Sequence, residues 1–153
     1  MATYDWARQR LDDLAGVEAA SDTYWTDPVG GPPGQPPYLN AVLKLGRPAR
    51  WVDARACLAD LQELERLAGR TRRVRWEARS LDLDLLDGFP VQDDPDVTLP
   101  HPRMMERAFV LRPLLDVAPD WVHPITGLPA RDALAEIGRH EDAGPLTLGA
   151  ASS

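Results

Sequence analysis

Cysteine and lysine are almost absent from this chain: Cys57 and Lys44 are the sole examples among 153 residues. A lone thiol forms no internal disulfide, so the chain is expected to hold itself together by packing, in a reducing, cytoplasmic setting. Cys57 falls within a helical pattern and reads as a small buried hydrophobe. No apolar run approaches the ~20 residues that cross a bilayer, and no secretory leader pattern opens the sequence; neither membrane insertion nor secretion is expected. A Gly-x-x-x-x-Gly-Lys-Ser/Thr loop and a protein-kinase glycine-rich loop are both missing, which removes those two nucleotide-binding classes. Net positive charge is lacking too. At −7, the chain is not expected to bind nucleic acid through bulk charge. There is no internal repeat. The length suits one domain with a real core, expected over residues 1–140, with a flexible tail over 141–153 and a monomeric state.

The positive charge that exists is concentrated. Arg66, Arg70, Arg72, Arg73, Arg75 and Arg79 fall within fourteen residues. Arginine binds phosphate oxygens in pairs through its planar fork, so the cluster points to a local anion site, against the plainer reading of a solvated basic loop. Directly after it comes Arg79-Ser-Leu-Asp-Leu-Asp-Leu-Leu86. As a strand, this stretch sends Leu81, Leu83 and Leu85 to one face and Ser80, Asp82 and Asp84 to the other, with the carboxylates roughly 6–7 Å apart. Like charges that close repel unless a cation lies between them. Two carboxylates completed by substrate oxygens suit Mg²⁺; the competing reading is an amphipathic strand with a wet face.

Elsewhere the pattern predicts a helix over residues 3–15 (Ala7, Leu11, Leu14) stopped by Gly16, and a strand over 17–25. Residues 26–37, rich in proline and glycine, form a loop. A strand covers 38–45, and a helix covers 51–68 on Ala54, Leu58, Leu61, Leu64 and Leu67, stopped by Gly69. Then come the Asp82/Asp84 strand, a turn region over 88–95, a short strand at 97–99, a helix over 103–117 broken near Pro113, and a last helix over 130–138. This order predicts an α+β fold with helices packed on a sheet.

Four groups carry chemistry: Asp82/Asp84; the arginine loop with Trp76; Tyr38-Leu39-Asn40; and Pro100-His101-Pro102-Arg103 followed by Arg107-Ala108-Phe109. They suit phosphoryl-type transfer, which asks mainly for positioning and charge neutralisation. Tyr38, Phe109 and Trp76 are able to stack on a flat heterocycle, and Asn40 is able to donate and accept at its edge. Each has a duller counterpart: Tyr38 and Phe109 as core aromatics, His101 as a loop histidine, Thr26 as a turn residue. His123 and His140 have no supporting neighbours.

Taken in order, Tyr24-Trp-Thr-Asp-Pro-Val-Gly30, Gln35-Pro-Pro-Tyr-Leu-Asn-Ala41, Leu64-Glu65 through Gly69-Arg70, Arg75 through Leu86, and Leu99-Pro-His-Pro-Arg103 through Arg107-Ala-Phe-Val-Leu-Arg-Pro-Leu114 resemble the 6-hydroxymethyl-7,8-dihydropterin pyrophosphokinase family. The resemblance implies a ferredoxin-like antiparallel sheet with helices packed on it. It implies transfer of diphosphate from ATP to the hydroxymethyl group of a reduced pterin in folate synthesis, with two Mg²⁺ ions held by Asp82 and Asp84. Tyr38 and Phe109 would sandwich the pterin. Asn40, with backbone near Thr26, Pro28 and Val29, would read its polar edge. Gln62, Glu65, Arg72, Thr98, His101 and Arg107 would line the ATP site. Arg70 and Arg79 would assist transfer while Trp76 helps close the loop. The family pattern opens with a strand and a Gly-Ser-Asn-Leu-Gly-like turn; this sequence begins almost on the first helix, so the expected domain lacks that strand, either through a start lying upstream or as a variant. Glu77-Ala78 stands where the family has Gly-Pro. The alternative to an enzyme is a non-catalytic nucleotide- or pterin-binding module.

Overall fold

The computed structural model describes residues 2–26, 38–71, 81–140 and 148–151. The elements are α1 (Ala2–Ala15), β1 (Val17–Ala20), β2 (Thr23–Thr26), β3 (Tyr38–Asn40), β4 (Leu43–Leu45), α2 (Ala54–Thr71), β5 (Gln92–Asp93), β6 (Thr98–Leu99), a 3₁₀ turn at Met104–Glu106, α3 (Ala108–Val117), α4 (Ala130–His140) and β7 (Leu148–Ala151). The class is α+β, as expected, and its β2–β3, β2–β7 and β5–β6 ladders are antiparallel. Among the described residues, the strands form three small sheets, ordered β1-β4, β3-β2-β7 and β5-β6. No helix among these residues is long and apolar enough to cross a membrane. The chain forms two compact units: residues 1–18 with 45–102, and residues 19–44 with 103–153.

In the first unit, α1 buries Ala7 and Leu11 and packs against α2. Gly16 ends α1 with φ +80°, in the left-handed region that glycine enters without cost. Its amide donates to Asp12 O at 2.9 Å. Asp12 Oδ1 then accepts the Val17 amide at 2.8 Å. Gly46 donates its amide to Gly16 O at 2.9 Å, and a Cβ at residue 46 would lie 2.5 Å from Ala15 O. Asp53 starts α2 by accepting the Ala56 amide on its side chain at 2.9 Å, a capping bond of the kind that offsets an orphan helix donor. The inward face of α2 carries Ala54, Cys57, Leu61, Leu64 and Ala68. Ala54, Val97 and Leu99 form a buried cluster, against which Leu58, Leu85 and Phe89 pack.

In the second unit, Met104, Leu111 and Ala130 are completely buried, where the 3₁₀ turn, α3 and α4 meet. The Asp116 carboxylate on α3 accepts the Tyr24 hydroxyl at 2.6 Å and the Asp22 amide at 3.1 Å, fastening α3 to β2.

Several expected elements take another form. The strand expected over 17–25 is two, broken at Ser21-Asp22, because the buried Ser21 side chain captures the Val42 amide at 2.8 Å and donates to Asp22 O at 2.7 Å. The strand expected over 38–45 is likewise two, β3 and β4, which belong to different sheets. Gly69 does not stop α2, which continues to Thr71. Pro113 lies inside α3 without breaking it; burial of Leu111, Pro113 and Leu114 outweighs one missing backbone bond. The interruption falls at Arg107 instead, between the 3₁₀ turn and α3. The turn region over 88–95 contains β5. Within the stretch expected as a tail, β7 pairs with β2 from Thr23↔Ala151 to Thr26↔Leu148.

Candidate active site

The expected site residues divide between the two units. Gln62, Glu65, Asp82, Asp84, Thr98 and His101 belong to the first; Thr26, Tyr38, Asn40, Arg107 and Phe109 belong to the second. Pro28, Val29, Arg72, Trp76 and Arg79 lie outside the described residues, and Arg70 is placed only as a backbone position in the last turn of α2.

In the first unit, the expected Asp82/Asp84 strand is not a strand in its described part: residues 81–86 have no regular structure. The alternation survives. Asp82 and Asp84 are exposed, while Leu81, Leu83 and Leu85 are half-buried, and Leu85 rests on the Ala54–Val97–Leu99 cluster. Apolar side chains thus do the orienting that a ladder would do. Two backbone groups of the segment are fixed. The Leu83 amide donates to Glu65 Oε1 at 3.1 Å, and Leu86 O accepts the His101 amide at 2.8 Å. Burial pushes the Glu65 carboxyl up from the usual carboxylate range; the Leu83 amide opposes this, and the charges of Asp82 and Asp84 add to it. Both aspartates are therefore near enough to Glu65 on α2 to act on it through their charge. Among the described residues, no group of three or more His, Cys, Asp or Glu side chains is arranged to hold a metal. A cation at Asp82 and Asp84 would need oxygens from a ligand, which is the coordination Mg²⁺ favours. Thr98 on β6 donates its hydroxyl to Asp93 Oδ1 at 3.3 Å, Gln62 is exposed on α2, and His101 is half-buried.

In the second unit, the β2–β3 register sets Thr26 opposite Tyr38 and Tyr24 opposite Asn40. Tyr38 and Asn40, two residues apart on β3, share one sheet face. The Asn40 Nδ2 amide donates to Thr26 Oγ1 at 3.0 Å, Tyr38 O at 3.3 Å and Tyr24 O at 3.4 Å. All of its donors are spent on protein, which leaves Oδ1 as the atom it can offer. Tyr38 is 42% exposed, more than a core aromatic would be. Phe109, in the first turn of α3, is half-buried, with the Arg107 guanidinium 5.6 Å from its ring centroid. Sequence reasoning missed two partners, Asp116 for Tyr24 and the Leu83 amide for Glu65. A signal existed for the second: Glu65 follows Leu64 and sits between Leu61 and Ala68 on the apolar side of α2, where an unpartnered carboxylate is costly.

A family model described as 7,8-dihydro-6-hydroxymethylpterin-pyrophosphokinase (HPPK) matches residues 1–119. The chain belongs to this family. A 2-amino-4-hydroxy-6-hydroxymethyldihydropteridine pyrophosphokinase of Pseudomonas aeruginosa is 45% identical over 115 residues, 74% of this chain and 68% of that protein. The pyrophosphokinase of the same name from Synechocystis is 36% identical over 115 residues, 74% of this chain and 57% of its own length. The folic acid synthesis protein fol1 of Pneumocystis carinii is 36% identical over 108 residues, 70% of this chain but 14% of that protein. This HPPK-family chain therefore matches from about a seventh to about two thirds of the length of these relatives. The matched residues contain Asp82, Asp84, Tyr38, Asn40 and Phe109; α4 and β7 lie beyond them.

Proposed function

We propose that the chain catalyses Mg²⁺-dependent transfer of diphosphate from ATP to the hydroxymethyl oxygen of 6-hydroxymethyl-7,8-dihydropterin, a step of folate synthesis. The observation that carries this reading is the outward alternation of Asp82 and Asp84 from an apolar footing, in a family whose relatives are named for this reaction. In the reaction, the hydroxymethyl oxygen bonds to the β-phosphorus of ATP, the bond from that phosphorus to the α–β bridging oxygen breaks, and AMP leaves. The hydroxyl proton passes to solvent or phosphate oxygen.

Asp82 and Asp84 would hold two Mg²⁺ ions, which supply charge neutralisation of the polyphosphate when bound. Arg70 and Arg79 add positive charge for the transferred group, and Arg72 and Trp76 belong to the same loop chemistry; these four assignments rest on the sequence motif. Gln62, Glu65, Thr98, His101 and Arg107 serve ATP. Tyr38 and Phe109 stack on the pterin ring, a use in keeping with the exposure of Tyr38. Asn40, its Nδ2 donors committed, presents Oδ1 to an N–H or amino group on the heterocycle, so a ring edge with only acceptors would be refused. Thr26, with Pro28 and Val29, contributes to the same edge. The substrates are small molecules.

The test is titration of the full chain with a non-hydrolysable ATP analogue, with and without Mg²⁺, alongside AMP release from ATP in the presence of the pterin. Mg²⁺-dependent binding that Asp82→Ala and Asp84→Ala each abolish is the expected result. Binding indifferent to both substitutions, or AMP release indifferent to the pterin, would overturn the reading.

A further inference from the structure

We propose that Glu65 is a positioning residue, whose carboxylate fixes the peptide between Asp82 and Asp84 so that both aspartates meet a divalent cation at a set spacing. The proposal rests on the metal-binding reading of those aspartates given above. The segment 81–86 has no strand partner among the described residues, so its aspartates depend on other restraints. Leu85 supplies one from below, and the His101 amide supplies a second at Leu86 O. The third acts at the centre. The Leu83 N–H belongs to the peptide plane that follows Asp82 and precedes Asp84, and it donates to Glu65 Oε1 at 3.1 Å. Rotation of that plane would re-aim Asp82 relative to Asp84. Holding it from a side chain on α2 restrains both carboxylates through the backbone that carries them.

The mount is stiff. Glu65 rises from an 18-residue helix whose neighbouring positions Leu61, Leu64 and Ala68 are buried. Glu65 is half-buried, whereas Gln62, Glu63 and Arg66 on the same helix are exposed. Glu65 is not a third metal ligand, since no three acidic side chains are arranged for that among the described residues; it acts through Leu83. Groups that orient metal ligands in this indirect way commonly affect metal affinity by about 10- to 100-fold when removed.

The experiment compares Glu65→Ala and Glu65→Gln with the wild-type chain, reading Mg²⁺ affinity calorimetrically in the presence of a non-hydrolysable ATP analogue. With the analogue at saturating concentration for each variant, Glu65→Ala should weaken Mg²⁺ binding by about 10- to 100-fold. Glu65→Gln keeps an acceptor oxygen at the same position and should restore Mg²⁺ affinity to within about threefold of wild type. If Glu65→Ala fails to fold, Glu65→Asp, which withdraws the acceptor by one methylene, takes its place with the same expected loss. Unchanged Mg²⁺ affinity in the alanine or aspartate variant would overturn the proposal, as would a glutamine variant as weak as alanine, because the charge and not the acceptor would then matter. Asp84→Ala is included as the control for the underlying reading: if it leaves Mg²⁺ binding intact, the aspartate site itself fails, a result distinct from the failure of Glu65 alone.

Discussion

Removing the Tyr24 hydroxyl tests how β2 is fastened to α3, and with it the support of the strand that carries Thr26. The hydroxyl donates to Asp116 Oδ2 at 2.6 Å. A hydrogen bond to a charged acceptor contributes about 1.5–3 kcal/mol where solvent is excluded, and less where it is not. Tyr24 is half-buried and Asp116 exposed, so Tyr24→Phe should cost about 1 kcal/mol in urea unfolding, with the slope unchanged. A cycle with Asp116→Asn should return a coupling of about 1 kcal/mol. The pH dependence offers an independent check. Burial first, then the bond to Asp116 and the charges of Asp116 and Asp22, push the Tyr24 phenol from 10 up to about 12. The folded protein therefore holds this proton more tightly than the unfolded chain does. The stabilisation is complete below pH 10 and is lost as pH rises towards 12. That interval nominally corresponds to about 2.7 kcal/mol, and solvent screening of so shallow a hydroxyl reduces it to about 1 kcal/mol, in line with the hydrogen-bond figure. The stability difference between wild type and Tyr24→Phe should shrink across this window. A difference that stays flat from pH 9 to 12, or a cycle additive within about 0.3 kcal/mol, would refute the reasoning.

Two further outcomes are expected. Leu99 is 2% exposed in the cluster beneath Leu85, so Leu99→Ala should cost about 2–5 kcal/mol in urea unfolding; a cost below 1 kcal/mol would show that this cluster does not carry the packing assigned to it. Burial, helped by Asp60 and opposed by Arg47, pushes the Cys57 thiol up to about 11. Iodoacetamide at pH 8 should leave Cys57 unmodified in the native protein and alkylate it in denaturing urea, with intact mass as the readout.

Local signals were the legible part of the sequence. Gly16 ends α1 because only a left-handed residue lets the chain turn there, and that requirement is written in the residue itself. The apolar spacing of α2 likewise marked Ala54, Leu61 and Leu64, which are buried. What escaped depended on partners distant in sequence. Ser21 reads as a weak strand residue until its hydroxyl meets the Val42 amide across the fold. Gly69 reads as a stop, yet nothing there requires a turn, and α2 runs past it. Pro113 reads as a break, but the burial of its surroundings holds α3 intact. In the candidate site, the alternation of leucine and aspartate was visible in the sequence because side-chain period alone sets it. The missing ladder was not, since whether an extended segment finds a strand partner is decided elsewhere in the chain.

Gly46 carries a consequence of another kind. Its backbone passes so near the end of α1 that a single methyl group would sit 2.5 Å from a carbonyl oxygen, and the obstructing atom is backbone, which cannot swing aside. Gly69 and Gly138, by contrast, face nothing within 4 Å. For a population of sequences drifting under selection for folding, position 46 is a bottleneck: synonymous codons pass through it and amino-acid changes do not, whereas the other two glycines are open doors. A library randomised at all three should emerge with one position frozen and two free to vary, a record in sequence of a single point where the backbone leaves no room.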